Sequence, residues 1–257
     1  MKWVAAFTVA VLAAETAFSA TVILSASKDN TLFESVTGME SDGAGDSFFA
    51  GRTGANDGSH IRRATIAFDV ASTIPSNATV TAVKLTLFLA QGAPSSFGEN
   101  VSLFSFTADW GEGSSMGFSG HPGGSTTGDA TWLHRFYNTA LWSTPGGDFN
   151  PQSSATTSIT AAFQFYSWTG PGLVDDVQTW VGNPAANFGW IARGNETVTN
   201  TALRFNSRQA TTQANRPQLT VDYIIVPEPS VIAVLIPGLV LLGLVTRRCR
   251  GAGSKLY

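Results

Sequence analysis

Across residues 80–90 apolar and polar side chains alternate, with Val83, Leu85 and Leu87 on one side and Lys84 and Thr86 on the other. A period of two with one apolar side predicts a β-strand that buries one face. Residues 64–70 repeat the pattern, Ile66 and Phe68 standing opposite Thr65 and Ala67, and Pro75-Ser76-Asn77 marks the turn between the two strands. Residues 101–108 predict a further strand with Phe104 and Phe106 on one side. Near the end of the domain, Leu219, Val221 and Tyr223 alternate with Thr220 and Asp222. Shorter candidates are residues 21–25, 47–50, 159–166, 190–193 and 202–206. One helix is expected, because Leu173, Val177 and Trp180 recur at helical spacing beside Val174 and Val181. Pro171-Gly172 opens it and Gly182-Asn183-Pro184 stops it. Many short strands punctuated by Gly, Pro and Asn predict an all-β domain, a jelly-roll-like β-sandwich with one short helix. Residues 109–157 fit no element; a stretch that long, rich in Gly and Trp, is functional or disordered.

The two ends differ from the middle. Residues 1–19 have the order of a secretory signal peptide: Lys2, an apolar run over 4–14, then Ala17 and Ser19 in an A-x-S pattern that places the cut by signal peptidase after Ser19. At the other end, residues 230–246 are apolar. Seventeen residues at a rise of 1.5 Å reach about 26 Å, the short limit for a hydrocarbon core. Pro237 and Gly238 are tolerated in membrane helices. Arg247, Arg248 and Arg250 follow and should stay cytoplasmic, which leaves residues 20–226 outside.

Charge and cysteine content narrow the function. Five of the 15 Lys and Arg and two of the 18 Asp and Glu sit at the ends, so the middle carries about −6. A nucleic-acid partner is not expected of so acidic a domain. The one cysteine, Cys249, follows the apolar run, so no internal disulfide framework exists.

The C-terminal arrangement of Pro227-Glu228-Pro229, one short span and an arginine cluster resembles the PEP-CTERM sorting signal, over residues 227–250 with 251–257 as a tail. The resemblance implies a Gram-negative bacterium and export across its inner membrane. It also implies transient anchoring by the helix, cutting near Pro227 to Pro229 by an exosortase-type enzyme, and a destination at the cell surface or in an exopolysaccharide matrix.

Within residues 20–226 a second resemblance rests on the order of several short motifs. They are Lys28-Asp29-Asn30-Thr31, Arg62-Arg63, Phe68-Asp69, Ile74-Pro75 and Ala78-Thr79-Val80, then Asp109-Trp110-Gly111-Glu112, Asp129-Ala130-Thr131-Trp132, Trp142 and Gly146-Gly147-Asp148. Asp176-Val177, Trp180, Asn187-Phe188-Gly189-Trp190, Ser207-Arg208 and Arg216-Pro217-Gln218-Leu219 close the series. Together they resemble the DNRLRE-type β-sandwich, a relative of carbohydrate-binding modules, over roughly residues 22–224, although the hexapeptide that names it is absent. The resemblance implies a binding or structural unit and not an enzyme.

Candidate chemistry follows. A flat indole stacks on a sugar face, and Trp132 and Trp142 in the long loop are the glycan-binding candidates; Trp168, Trp180 and Trp190 are expected in the core. Calcium wants six to eight oxygens from loops, and Asp42, Asp46, Asp109, Glu112, Asp129 and Asp148 are the candidate ligands of a structural ion. His60, His121 and His134 lack the paired spacing of a zinc site. Asp109 and Glu112 are also the nearest approach to a glycosidase carboxylate pair. Gly113-Ser114-Ser115-Met116-Gly117 has the G-x-S-x-G spacing but neither the strand before it nor the helix after it that a nucleophile elbow needs. A buried member of the Arg62-Arg63 pair would need a carboxylate, and Asp69 or Asp222 is expected to serve. The chain therefore reads as an exported, non-catalytic surface or matrix protein contacting exopolysaccharide. A purely structural matrix protein and a small polysaccharide-active hydrolase or lyase are the alternatives.

Overall fold

The computed structural model describes residues 17–225. The expected sorting residues Pro227, Glu228, Pro229, Arg247, Arg248 and Arg250, and the expected span at 230–246, lie outside the described residues, as does most of the expected signal peptide. Among the described residues no helix is long and apolar enough to cross a membrane. The strands in chain order are β1 (Phe18–Ser25), β2 (Lys28–Phe33), β3 (Glu40–Ser41), β4 (Ser47–Arg52), β5 (Ile61–Ala67), β6 (Ala78–Gly92), β7 (Asn100–Ser105), β8 (Gly123–Gly124), β9 (His134–Phe136), β10 (Ala140–Leu141), β11 (Ala155–Ser158), β12 (Gln164–Thr169), β13 (Trp190–Arg193), β14 (Leu203–Asn206) and β15 (Gln218–Ile225). The helix α1 covers Pro171–Gly182. With 42% strand and 11% helix the fold is all-β, built on one curled antiparallel sheet.

Eleven strands make that sheet, in the order β1-β15-β6-β14-β4-β5-β13-β7-β11, with β12 added to β6 and β2 to β5. The curl passes through β4. Its residues Ser47 to Ala50 pair with β14, whereas Gly51 and Arg52 pair with β5. The change of partner occurs at Gly51, whose φ of +115° and close approach to the Thr201 carbonyl, 2.5 Å from where a Cβ would stand, leave room only for glycine.

The alternation of β6 is realised: Val83, Leu85, Leu87 and Leu89 are buried and Lys84 is exposed. Ile66, Phe68 and Trp190 of the β5–β13 half are buried with them, and Trp190 packs on Phe68 and on Trp180 of α1. Helix α1 buries Leu173, Val177, Trp180 and Val181. It is tied to the sheet by polar bonds: the Trp190 indole donates to Asp176 at 2.7 Å, and the Val80 amide donates to Gln178 at 2.8 Å.

Two expectations need correction, and one strand was not anticipated. Residues 64–70 are not a strand with one buried face: β5 ends at Ala67 and both its faces are buried from Ala64 onward. The reason is a second apolar cluster on the far side, described below. Residues 159–166 are not one strand but a turn that follows β11 and the start of β12. The chain turns there around the Tyr166 hydroxyl, which accepts the amides of Thr160 and Ala161 and donates to the Ala161 carbonyl, and Phe163 takes a positive φ of 60°. β2 was hidden because Lys28, Asp29, Asn30 and Thr31 are polar, yet Asp29, Asn30 and Thr31 are fully buried.

Candidate functional site

The long segment 109–157 is an ordered cover, not a free loop. Leu32 of β2, Ala67 of β5 and Ile191 of β13, facing away from the inter-layer core, form a second cluster with Phe106, Trp110, Ala130 and Trp142 of the following segments, and Phe104 of β7 packs against it. Phe106 stacks on Trp142 with centroids 5.4 Å apart and planes at 12°. The indole of Trp110 donates to Phe188 O at 2.8 Å and that of Trp142 to Thr131 O at 2.9 Å. Both rings are satisfied and buried.

The motifs dispersed along the sequence converge where this cover meets the sheet. Asn30 on β2 donates to the Glu112 carbonyl at 2.7 Å and to Ser41 at 2.9 Å. Lys28 donates to Asp109 at 2.7 Å and lies over the Trp110 ring. Glu112 accepts the Asp29 amide at 2.9 Å and a bidentate pair of bonds from Arg208. Such a fork is geometrically specific and stronger than a neutral bond. Gly113, with φ +75°, packs so closely on Asp129 that a Cβ would overlap its carboxylate.

Desolvation pushes the Asp29 carboxyl up to about 7, against the opposing hydrogen bond from the Arg208 amide, with Glu112 adding repulsion. Desolvation likewise raises Asp42 to about 6, although it accepts the Gly117 amide.

These contacts fix the roles of the six candidate metal ligands. Asp129 is buried and accepts the amides of Ser114 at 2.8 Å and Thr126 at 2.6 Å. Asp148 accepts the amides of Ser143 and Thr144. Asp46 pairs with Arg204 at 3.1 Å, and Asp42, Asp109 and Glu112 are engaged as described. The expected clustering of Asp109, Glu112, Asp129 and Asp148 is not found: each caps a different turn or cation. Among the described residues no three or more His, Cys, Asp or Glu side chains are grouped so as to hold a metal ion. Nor does the G-x-S-x-G segment form an elbow. Ser115 is buried, its carbonyl accepts the Ala44 amide, and the segment wraps onto Asp129 without entering a helix.

The tryptophan candidates separate. Trp142 is a core residue with no free face, and the expectation that it stacks on a sugar is corrected. Trp132 is half-buried. The guanidinium of Arg63 lies over its ring at 4.8 Å, and the same residue borders a cleft of about 570 Å³ with Leu133, Val36, Glu34, Glu40 and His60. Arg63 is itself fixed. Glu196 bridges it at 2.8 Å and Arg193 at 2.6 Å. Burial works to raise the Glu196 pKa, but bonds from Arg193 and Arg63 outweigh it and hold the carboxyl below its ordinary range. Phe104 and Phe149 stack beneath Arg193.

The expected partners of the arginine pair were wrong. Arg63 uses Glu196, not Asp69 or Asp222, and among the described residues Arg62 has no carboxylate within ion-pairing distance; it lies over the rings of Phe33 and Phe49 and donates to the Gly120 carbonyl. Asp69 caps Ser72, and Asp222 accepts the Thr21 hydroxyl. Sequence reasoning missed Glu196 because it stands in a Gly-Asn-Glu-Thr turn with no periodic signal.

No family model matches the chain, and no curated protein matches it.

Proposed function

We propose that this is an exported, non-catalytic surface or matrix protein whose jelly-roll-like sandwich contacts exopolysaccharide through the cleft at Trp132. The observation that carries the reading is the Trp132 ring: half-exposed, backed by a guanidinium held in a three-residue ion network, and bordering a cleft with acidic and imidazole groups. A pre-positioned aromatic with polar neighbours suits a sugar face and its hydroxyls. Asp109 and Glu112, the carboxylate pair nearest to a glycosidase arrangement in the sequence, are committed to Lys28 and Arg208, which weighs against that pair as a hydrolytic one. An acidic domain favours a neutral or amine-bearing polymer. The route is signal peptidase at Ser19, then exosortase-type cutting near Pro227 to Pro229 after brief anchoring.

Two measurements test the reading. Intact-mass spectrometry of exported protein should give a start near Ala20 and an end near Pro227 to Pro229; a C-terminus still at Tyr257 contradicts the sorting route. A panel of neutral and amine-bearing polysaccharides should retain the full chain weakly, and Trp132→Ala should abolish retention. Retention by none of them favours the purely structural matrix reading.

A further inference from the structure

The two ends of the eleven-stranded sheet are treated differently. β11 is four residues long, and its Thr157 hydroxyl donates to the Ser167 carbonyl of β12 at 2.7 Å, so side chains span that end. β1, at the other end, is eight residues long with the sequence FSATVILS, of which Ala20 to Ser25 remain after the proposed cut at Ser19. It contains no charge, no proline and no glycine, and among the described residues nothing pairs with its outer edge. Alternate side chains Ser19, Thr21, Ile23 and Ser25 are all exposed, Ile23 by 63%.

Exposed edges are ordinarily blunted by Lys, Pro, bulges or shortness, because a bare row of N–H and C=O groups templates another strand. β1 carries none of these devices. Its composition of β-branched and small uncharged residues is that of segments that pair readily.

We propose that the outer edge of β1 pairs antiparallel with β1 of a second copy of this chain, joining two sheets across a two-fold axis. The second copy is the favoured occupant for reasons of charge and symmetry. A two-fold axis brings each residue against the same strand of its partner, so any charge on β1 would meet its like, and β1 has none. An antiparallel edge contact is self-complementary, and it consumes both free edges. Because the contact uses the same edge on both copies, it closes on itself at two copies. This inference is independent of the glycan reading.

The test is sedimentation velocity on the exported, processed protein over a dilution series, with hydrogen exchange read at β1. The expected result is a reversible dimer whose β1 amides exchange more slowly at high concentration. Ile23→Lys sets like charges near the axis and should weaken the dimer by up to about fivefold, as opposed like charges do in cross-strand pairs. Ile23 is exposed, so the melting temperature of the dilute monomer should not move. Thr156→Lys on β11 should leave the dimer intact. A chain that stays monomeric throughout, a dimer indifferent to Ile23→Lys, or capture of a different protein by β1 with no self-association each overturns the proposal.

Discussion

The strands β2, β5, β13 and β7 carry a different core on each face. Toward β6 the core is regular: Ile66, Phe68 and Trp190 are buried together with Leu85, Leu87 and Leu89, and the periodicity of two announces most of it. On the other face, Leu32, Ala67 and Ile191 lie under Phe106, Trp110, Ala130 and Trp142. That second core is sealed by polar contacts, with Asn30, Glu112, Arg208 and Asp129 pinning the covering segment by its backbone. Alternation can specify a layered core; a cover of irregular chain needs its amides and carbonyls satisfied one by one.

The largest effect that separates the two cores comes from deleting buried side chains. Leu85→Ala should cost about 2–5 kcal/mol and Trp142→Ala about 3–5 kcal/mol. At about 2–4 °C per kcal/mol for a domain of this size, either change lowers the melting temperature by on the order of 10 °C. Limited proteolysis distinguishes them. Trp142→Ala should admit cuts within residues 109–157 while the sheet survives, whereas Leu85→Ala should not direct cleavage there. Identical cleavage patterns would merge the two cores into one.

A smaller effect should come from the clamp. Arg208→Met leaves Glu112 half-buried without its cation and should cost about 1–3 kcal/mol, the range for an orphaned polar partner. Hydrogen exchange should quicken around residues 111–117 before anywhere else. An unchanged exchange pattern removes the clamp from the account.

Smaller again is the pH response. The folded-state pKa of Asp29, about 7, lies above that of the unfolded chain, near 4. Between those values the folded protein holds a proton that the unfolded chain has released, so stability rises as pH falls from about 7 toward 5 and is lost as pH rises through 7. Asp42 acts in the same direction with its pKa of about 6. Glu196, whose pKa is depressed, acts oppositely but only below its ordinary range, outside this window. Asp29→Asn should flatten much of the slope, and the amide oxygen that replaces the carboxylate still accepts the Arg208 amide. Melting temperatures that fall on acidification from pH 7 to 5 would contradict the assignment.

The inter-layer core was legible because strands and the helix write their periods into the sequence. The helix at 171–182 and the strands at 190–193 and 203–206 are found close to where spacing placed them. The second core was legible only as motifs without roles: Asp109-Trp110-Gly111-Glu112 and Ser207-Arg208 are 96 residues apart between Glu112 and Arg208, and no local pattern tells that they grip one another. β2 was missed for a related reason, since its polar residues are engaged on both faces, Asn30 with the cover and Asp29 and Thr31 with the amides of Arg208 and Phe49, rather than facing water. The partners of the loop carboxylates were not legible, because a buried carboxylate finds backbone amides as readily as a cation. Of the two tryptophans proposed for sugar contact, only burial distinguishes Trp132 from Trp142.

That distinction is the most direct test. Trp132→Ala and Trp142→Ala should be measured side by side for polysaccharide retention and for melting temperature. The account predicts that Trp132→Ala loses retention while its melting temperature shifts by no more than a few degrees, and that Trp142→Ala melts on the order of 10 °C lower, as deletion of a buried ring requires. Full retention by Trp132→Ala, or a melting temperature for Trp142→Ala equal to that of the unaltered chain, would contradict it.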